Sequence, residues 1–201
     1  MADYLEAHPA VGACGPCQKD RAGVPYPPPM LPSVKYSLAK LFFLRRFFRP
    51  RAMTPGPQKL LDGACLMLPR AVREQMPYFD ERYRFYFEDV DLCARLVAAG
   101  YELHIVPGVM ITHVQRGSSR RVSRSERMGW CTDGLCRYLR THCTPARANA
   151  IMVLELLGVA RKLVPMGLAA ILTLGLAPGI RGRVATMRVI GRALLRGLFA
   201  R

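Results

Sequence analysis

The amino-acid sequence predicts a mixed α/β domain followed by helices that are first apolar and then basic. Three observations support this prediction. Apolar runs over residues 10–16 and 101–114 are typical of strands. Between them, residues 88–99 are expected to form a helix that stops at Gly100. Beyond residue 147 the composition becomes strongly apolar, and the last twenty residues carry many arginines and no acid.

Composition limits the class of protein. The chain has 201 residues, of which 51% are hydrophobic, enough for a sizeable core. Lys and Arg number 30 against 14 acidic residues, a net charge of +16 that favours an anionic partner, either nucleic acid or an anionic membrane surface. The seven cysteines are an odd number, and the N-terminus lacks the pattern of a secretory signal. A reducing cytosol with unpaired thiols is therefore expected.

The first twenty residues are expected to form a short polar helix and then a brief strand. They contain C-G-P-C at 14–17, the tetrapeptide of thioredoxin-type redox sites. Such a site needs a helix that starts at the first cysteine and stabilises its thiolate. Residues 21–32 are rich in proline and cannot supply that helix. Cys14 and Cys17 are therefore interpreted as small, half-buried residues at a strand end.

Residues 33–51 are expected to form an amphipathic helix. Its apolar stripe is flanked by basic residues, and no acid occurs between Asp20 and Asp62. A basic helix with bulky aromatic side chains suits a membrane interface. Two other interpretations stay open, a surface helix packed on the domain and a DNA-reading helix. The stripe consists of Val34, Leu38, Leu41, Phe42 and Phe48.

Three further elements are expected in the middle of the chain. Residues 60–69 form an apolar run that resembles a short strand, and Gly63 inside it is typical of a bulge or of a ligand close to the backbone. Residues 101–107 and 108–114 are expected to form two strands with alternating apolar faces.

Three acids, Glu88, Asp89 and Asp91, cluster in the first turn of the predicted helix. A purely structural role is possible, because acids at a helix start suit the helix dipole, and Asp91 can pair with Arg95 one turn later. Crowding of three acids also raises at least one carboxylate pKa, which a general base requires.

The sequence resembles the second half of family 2 glycosyltransferases, particularly the bacterial rhamnosyltransferase-like branch. The resemblance covers roughly residues 2–143, and its E-D-x-D-L-C-x-R block is highly specific. The C-G-P-C segment falls where that family has an ordinary strand end. The matching positions are Gly63-Ala64, Phe79-Asp80-Glu81, Phe87 through Arg95, Gly100, Val106-Pro107, His113 and Gly117-Ser118.

This resemblance implies a partial GT-A fold, an incomplete mixed sheet with flanking helices, and inverting sugar transfer. Asp89 would be the catalytic base that takes the proton from an acceptor hydroxyl. Glu88, Asp91, Gly63 and Ala64 would form the acceptor-binding surface, the last two by letting the backbone approach the sugars.

The substrates implied are a nucleotide-sugar donor and a glycan or lipid-linked acceptor. The family's divalent ion is Mg²⁺ or Mn²⁺, a hard cation suited to phosphate oxygens. His113 matches a position that ligates this ion in some relatives, and a strand-end histidine at a pocket edge is the alternative.

The chain departs from the family in one respect, because the nucleotide-binding strands and their D-x-D motif are not found in it. The string Asp89-Val90-Asp91 belongs to the acidic block instead. We expect a truncated gene product; a partner chain that supplies the donor half, or a loss of catalysis, is the alternative.

The C-terminal part is expected to be a membrane-associating helical tail at 147–201, after an acceptor-side domain at 1–146. Residues 163–180 form an uncharged run at the lower limit for a span, weakened by two prolines. Arg188, Arg192 and Arg196 then recur at i,i+4 spacing on a basic amphipathic helix. We expect peripheral binding to the cytoplasmic face of the cell membrane, with a single span as an alternative and simple packing on the domain as another.

The sequence thus predicts the acceptor-side half of an inverting glycosyltransferase in cell-envelope polysaccharide assembly. A non-catalytic, membrane-bound remnant or partner subunit is the alternative. Nucleic-acid binding is argued against by the acidic cluster. A zinc site is not expected, because the spacing of Cys131, Cys136, His142 and Cys143 fits no paired scheme.

Overall fold

The computed structural model describes residues 1–27, 30–48, 53–114, 122–172 and 179–199. The chain forms two compact units. The first comprises Met1–Leu31 and Pro50–Gly117, and the second comprises Pro32–Arg49 and Ser118–Arg201. The first unit holds the sheet and the second holds the long helices, so the fold is α/β, consistent with a partial GT-A fold followed by C-terminal helices.

The described residues of the first unit contain a three-stranded sheet in the order β1-β3-β2. Strand β1 (Val11–Lys19) lies parallel to β3 (Glu102–Thr112), and β2 (Gly56–Gln58) is antiparallel to β3. The two predicted strands of residues 101–114 are one continuous strand, with a register shift opposite Gly15/Cys17 and Gly108 at φ 74°. β1 continues beyond the predicted apolar run, so Cys14 lies buried within it and not at its end.

Helices cover the sheet. Helix α1 (Ala2–Ala7) precedes β1, α3 (Arg70–Gln75) lies in the central connection, and α4 (Glu88–Ala98) packs on β1 and β3. As the sequence predicted, α4 stops where Gly100 adopts φ 88°, the left-handed conformation that ends many helices. The side chains that this packing buries almost completely are Val11, Leu61, Leu92, Leu96, Leu103 and Ile105.

The strand predicted over residues 60–69 is wrong. Only Met67 pairs with β1, through two 2.9 Å backbone hydrogen bonds with Cys14. Upstream of it the chain turns at residues 63–65, because the backbone N–H of Gly63 bonds to a side chain of α4 and is not available to a strand. The single helix predicted over residues 33–51 is also wrong for the described residues, and residues 49–51 lie outside them. Helix α2 (Val34–Leu41) ends before Phe43, which has φ 61°, and a 3₁₀-helix (Leu44–Phe48) follows.

The second unit is a helical assembly of α2, α5 (Arg124–His142), α6 (Pro145–Leu172) and α7 (Ile180–Phe199). Its core includes Leu139, Ile151, Met152 and Leu194, each at most 1% exposed. Helix α5 begins with a complete capping box, in which Ser123 and Glu126 bond to each other's backbone N–H. The basic helix predicted near the C-terminus is confirmed as α7.

None of the helices in the described ranges combines the length and apolar character that crossing a membrane requires. The apolar run predicted at 163–180 falls partly on α6, which contains Pro165, and residues 173–178 lie outside the described ones. The boundary expected after residue 146 stays a prediction. Packing groups the chain differently, because α5 contacts α6 and α7 within the second unit.

Candidate active site

The backbone is strained just before the acidic cluster. Tyr86 and Phe87 have φ values of 66° and 73°, in the left-handed region that side chains other than glycine rarely adopt. Such conformations cost about 1–3 kcal/mol each and persist where the surrounding structure requires them. Phe87 is the N-cap of α4 and gives the helix start no side-chain hydrogen bond. The conformations of Tyr86 and Phe87 therefore set the direction in which the chain enters α4 at Glu88 and Asp89.

Two backbone N–H groups hold the carboxylate of Asp89. Gly63 donates to Oδ2 at 3.0 Å, and Val90 donates to Oδ1 at 2.8 Å. A Cβ at position 63 would lie 3.0 Å from the Asp89 Cβ, so a glycine is needed for this approach. The structure thus gives Gly63 a role that the sequence did not predict, direct support of the Asp89 side chain. Its predicted closeness to the sugars stays a prediction.

The pKa values of Asp89 and Glu88 are both raised, in each case chiefly because burial penalises the charged form. The backbone donors Gly63 and Val90 oppose the shift at Asp89. The Asp89 charge raises the pKa of Glu88, and the Asp62 charge raises both. The upward direction of both pKa shifts agrees with the sequence prediction, but burial contributes more to the shifts than crowding of the acids does. Asp89 remains partly exposed, so a base with an elevated pKa is accessible.

One oxygen of Glu88 lacks a hydrogen-bond partner among the described residues. Its Oε2 atom is buried and forms no hydrogen bond with any described residue. A buried acceptor without a donor costs roughly 1–3 kcal/mol, so this oxygen is suited to a hydroxyl group brought by a ligand. The start of α4 thus brings together an oriented carboxylate, that of Asp89, and a buried oxygen of Glu88 whose hydrogen-bonding capacity no described residue satisfies.

Asp91 has a structural position instead. Its carboxylate is buried, with Oδ2 2.7 Å from the Arg95 Nε and Oδ1 3.3 Å from the Tyr83 hydroxyl. The i,i+4 pair with Arg95 is the one that the spacing predicted. Arg95 also donates to the carbonyls of Pro77 and Tyr78 at 2.6 and 2.9 Å. Because the Asp91 carboxylate is buried in this network, it fixes the preceding loop, and its predicted role in acceptor binding stays a prediction.

Cys93 fastens the same segment one turn further along α4. The Leu61 N–H donates to the Cys93 Sγ at 3.4 Å, and the thiol lies 3.8 Å from the Leu61 carbonyl oxygen. Burial raises the pKa of Cys93 to about 12, so this thiol stays protonated and does not act as a nucleophile. Residues 61–63 are thus attached to α4 through Cys93 and Asp89.

Sequence reasoning missed Asp62. Its Oδ1 accepts a 2.8 Å hydrogen bond from the Ala64 N–H, which forms the turn that presents Gly63 to Asp89. The signal was available, because an Asp-Gly pair after two leucines is typical of a turn. Ala64 itself is exposed, as an acceptor-binding position requires.

His113 lies just after β3, at the edge of the sheet where the carboxyl ends of β1 and β3 meet. The amide oxygen of Gln18 accepts a 2.9 Å hydrogen bond from the His113 Nδ1–H, which leaves Nε2 as the nitrogen with a lone pair. The Tyr26 hydroxyl donates to the His113 carbonyl at 3.1 Å. The matched residues Gly117 and Ser118 lie outside the described ones.

The described residues around this histidine do not by themselves form a metal site, and the role of His113 as a metal ligand stays a prediction. No group of three His, Cys, Asp or Glu side chains in the described part of the chain is placed to hold a metal. His113 offers one nitrogen, and its neighbour Gln18 is bonded to the other.

Comparison with known proteins identifies the family. A family model described as Glycosyl transferase family group 2 matches residues 31–199. The chain belongs to glycosyl transferase family group 2. This match confirms the family that the acidic block and its flanking motifs indicated. Membership in the family implies that the protein is a transferase.

This family member is similar to proteins named as rhamnosyltransferases. It is 32% identical over 132 residues to an N-acetylglucosaminyl-diphospho-decaprenol L-rhamnosyltransferase of Mycobacterium tuberculosis, covering 60% of this chain and 43% of the relative. It is 39% identical over 61 residues to Rhamnosyltransferase WbbL of Escherichia coli K12, covering 30% and 23%. The chain thus spans less than half the length of these curated relatives. No solved structure matches it.

Proposed function

We propose that this chain is the acceptor side of an inverting glycosyltransferase and that Asp89 is its general base. The observation that carries the proposal is the Asp89 carboxylate, which two backbone N–H groups orient while burial raises its pKa. A base is most effective when its pKa lies near the working pH, and the upward shift moves a carboxylate in that direction.

The reaction follows from this assignment. Asp89 takes the proton of an acceptor hydroxyl, whose oxygen attacks the anomeric carbon of the donor sugar. The bond from that carbon to the donor phosphate breaks, the nucleotide diphosphate leaves, and the anomeric configuration inverts. The unpartnered Glu88 Oε2 accepts a hydrogen bond from a second acceptor hydroxyl and orients the sugar.

The relatives' names give the substrate class. One relative is named for transfer of rhamnose to N-acetylglucosaminyl-diphospho-decaprenol. We extend this class to the present chain, with a nucleotide-linked deoxysugar as donor and a lipid-linked amino sugar as acceptor in cell-envelope polysaccharide synthesis. Because the chain spans 43% of that relative, we propose the complete transfer reaction for this chain together with a donor-binding half.

The test is a transfer assay with the purified chain. The chain is mixed with a nucleotide-linked rhamnose, a lipid-linked N-acetylglucosamine and Mg²⁺ or Mn²⁺, alone and together with a separately expressed nucleotide-binding half of a rhamnosyltransferase relative. Asp89→Asn is compared with Glu74→Gln, which removes an exposed acid bonded only to Arg70 among the described contacts. The label that reaches the lipid measures transfer.

We expect Asp89→Asn to lower the transfer rate by at least about a hundredfold, the usual contribution of a general base, with unchanged folding by circular dichroism. Glu74→Gln should transfer like the original chain. Equal rates for Asp89→Asn and the original chain would exclude Asp89 as the base. Absence of transfer in every mixture would instead favour a non-catalytic remnant.

We also propose that the second unit binds peripherally to the cytoplasmic face of the cell membrane. The support is a group of exposed aromatic side chains beside exposed arginines. Phe42, Phe43 and Phe47 are 64%, 76% and 69% exposed, and Arg45 and Arg46 lie between them. Aromatic side chains with nearby cations suit the interface of an anionic leaflet. Helix α7 adds exposed arginines at positions 188, 192 and 196.

Flotation with anionic liposomes tests this second proposal. The Phe42→Ser/Phe47→Ser variant should float at least several-fold less than the original chain, because it loses apolar area for insertion. Val97→Ser/Met110→Ser removes two exposed apolar side chains of the first unit and is the matched control. High salt should weaken binding. Equal flotation of both variants would exclude this aromatic group as the contact.

A further inference from the structure

The second unit contains a cavity of about 900 Å³ that the proposed sugar-transfer chemistry does not use. It is lined by the start of α5, the middle of α6 and the start of α7. Four of its lining side chains are cationic, and none of the described residues that line it is acidic. The cations are Arg124, Arg161, Lys162 and Arg183.

The charges that face this cavity are not balanced. Glu155 is near Lys162, but it is already bonded to Lys40 at 2.6 Å and to the Ser37 hydroxyl at 2.8 Å. Glu126 on α5 is engaged in the capping box. Burial lowers the pKa of Lys162, and the charges of Lys40 and Arg161 lower it further. Lys162 is an exposed residue whose ammonium lies among other cations, and such a group is stabilised by a bound anion.

Arg161 lacks a partner for one of its donors. Its Nε atom is buried and forms no hydrogen bond with any described residue. Its guanidinium lies 3.8 Å from the centre of the Phe43 ring, which holds the group in place. A buried N–H donor of a guanidinium fits a phosphate oxygen, which accepts charge-assisted hydrogen bonds. Gly179 and Gly182, at the start of α7, also line the cavity, and the first N–H groups of a helix lack intrahelical partners.

Apolar side chains form another part of the cavity wall, beside the hydroxyl groups of Ser125 and Thr186. Phe43, Pro165, Met166 and Met187 contribute to it. A volume of this size accepts a ligand much larger than a phosphate ion, and side chains of Met adapt to flexible alkyl chains. A ligand that complements both the cationic residues and the apolar side chains of the cavity has an anionic head group and an apolar chain.

We propose that this cavity binds the phosphate group of an anionic amphiphile, with Arg161 and Lys162 contacting the phosphate and the Phe43 and Met166 side chains contacting its hydrocarbon. The site lies wholly in the second unit. It does not depend on Asp89 and goes beyond the proposed transferase function.

The test is a calorimetric titration of the full chain with three probes below their micellar concentrations. Decyl phosphate carries both features, inorganic pyrophosphate carries only the anion, and decyl maltoside carries only the chain. Arg161→Gln/Lys162→Gln removes two charges from the cavity. Arg21→Gln/Lys59→Gln removes two charges from exposed positions of the first unit and is the matched control. Circular dichroism verifies folding.

We expect decyl phosphate to bind more tightly than either other probe. The cavity variant should bind it at least about tenfold more weakly, as expected for the loss of charged hydrogen bonds, and the control within about twofold. Arg161→Lys keeps the charge and is used if the double variant does not fold. It should still weaken the binding of decyl phosphate. Asp89→Asn should bind decyl phosphate normally even if it abolishes transfer, which separates this inference from the proposed function.

Three results would overturn the inference. Pyrophosphate binding as tight as that of decyl phosphate would mean a simple phosphate site without a role for the apolar wall. Equal binding of decyl maltoside would mean an apolar pocket without anion recognition. An equal loss in the cavity variant and the surface variant would mean that net charge, and not this cavity, attracts the amphiphile.

Discussion

The backbone N–H of Gly63 donates to Oδ2 of Asp89 at 3.0 Å across 26 residues of sequence. This bond joins the turn after Leu61 to the first turn of α4. Four residues later on the helix, Cys93 contacts Leu61, so two successive turns of α4 hold one connecting segment. The carboxylate is therefore oriented by the fold itself, before any substrate is present. An oriented base loses less entropy when the transition state forms.

Replacing Gly63 with Ala should displace Asp89. The new Cβ would meet the Asp89 Cβ at 3.0 Å, so the two segments must separate and the N–H···Oδ2 bond lengthens. We expect a loss of about 1–3 kcal/mol in the free energy of unfolding, measured with urea. The pKa of Asp89 should rise further, because the Gly63 N–H lowers it. Ala64→Ser, at the exposed neighbour, should change neither quantity.

Asp62→Asn should lower the pKa values of Glu88 and Asp89, since the Asp62 charge raises both and an Asn oxygen can still accept from the Ala64 N–H. Titration of the carboxyl carbons by NMR measures this directly. Where transfer is detected, the acid limb of its pH profile should move to lower pH. Removal of the exposed Glu81 charge by Glu81→Gln is the control. An unchanged Asp89 pKa in the Asp62 variant would contradict the conclusion that the Asp62 charge raises this pKa.

The same shifts set a stability dependence on pH. Glu88 and Asp89 have folded pKa values above their ordinary values of 4.5 and 3.8, so the folded chain holds their protons more tightly. At a pH below those ordinary pKa values, Glu88 and Asp89 are protonated in both the folded and the unfolded chain and do not lower the free energy of unfolding. The free energy of unfolding then falls as pH rises from about 3.8 to the raised folded pKa values. This fall should be smaller in Asp62→Asn than in the original chain.

The sequence was informative wherever a signal is local. The Gly100 stop of α4, the Asp91–Arg95 pair and the basic helix α7 follow from spacing and capping rules alone. Prediction from the sequence failed where contacts between residues distant in sequence determine the local structure. Residues 60–69 looked like a strand, but the bond from Gly63 to Asp89 replaces strand pairing. The cavity at Arg161 depends on three helices and could not be found from any single segment.

Arg95→Met should destabilise the first unit strongly, because it leaves the buried Asp91 carboxylate without its cation and releases the carbonyls of Pro77 and Tyr78. Breaking a buried pair costs about 3–5 kcal/mol, and we expect about 2–3 because the Arg95 side chain is 25% exposed. Arg70→Met breaks an exposed pair of the same i,i+4 spacing and should cost below about 1 kcal/mol. Urea unfolding of both variants checks the difference, and equal costs would contradict a structural role for the Asp91 pair.

Gly197→Ala should disrupt the packing of α7 on α5. A Cβ at position 197 would lie 2.6 Å from the Cys136 Sγ, 2.8 Å from its Cβ and 3.0 Å from the Met152 Sδ. The Cβ of Cys136 cannot rotate away, so the helices must separate and the Arg140 hydrogen bonds to the Gly197 carbonyl weaken. We expect a loss of about 1–3 kcal/mol in unfolding free energy. Gly158→Ala in α6 meets no atom within 4 Å and should stabilise by about 0.5–1 kcal/mol through helix propensity. Thermal unfolding of the two variants therefore gives shifts of opposite sign if α5 and α7 pack as described, and a stabilising effect of Gly197→Ala would refute that packing.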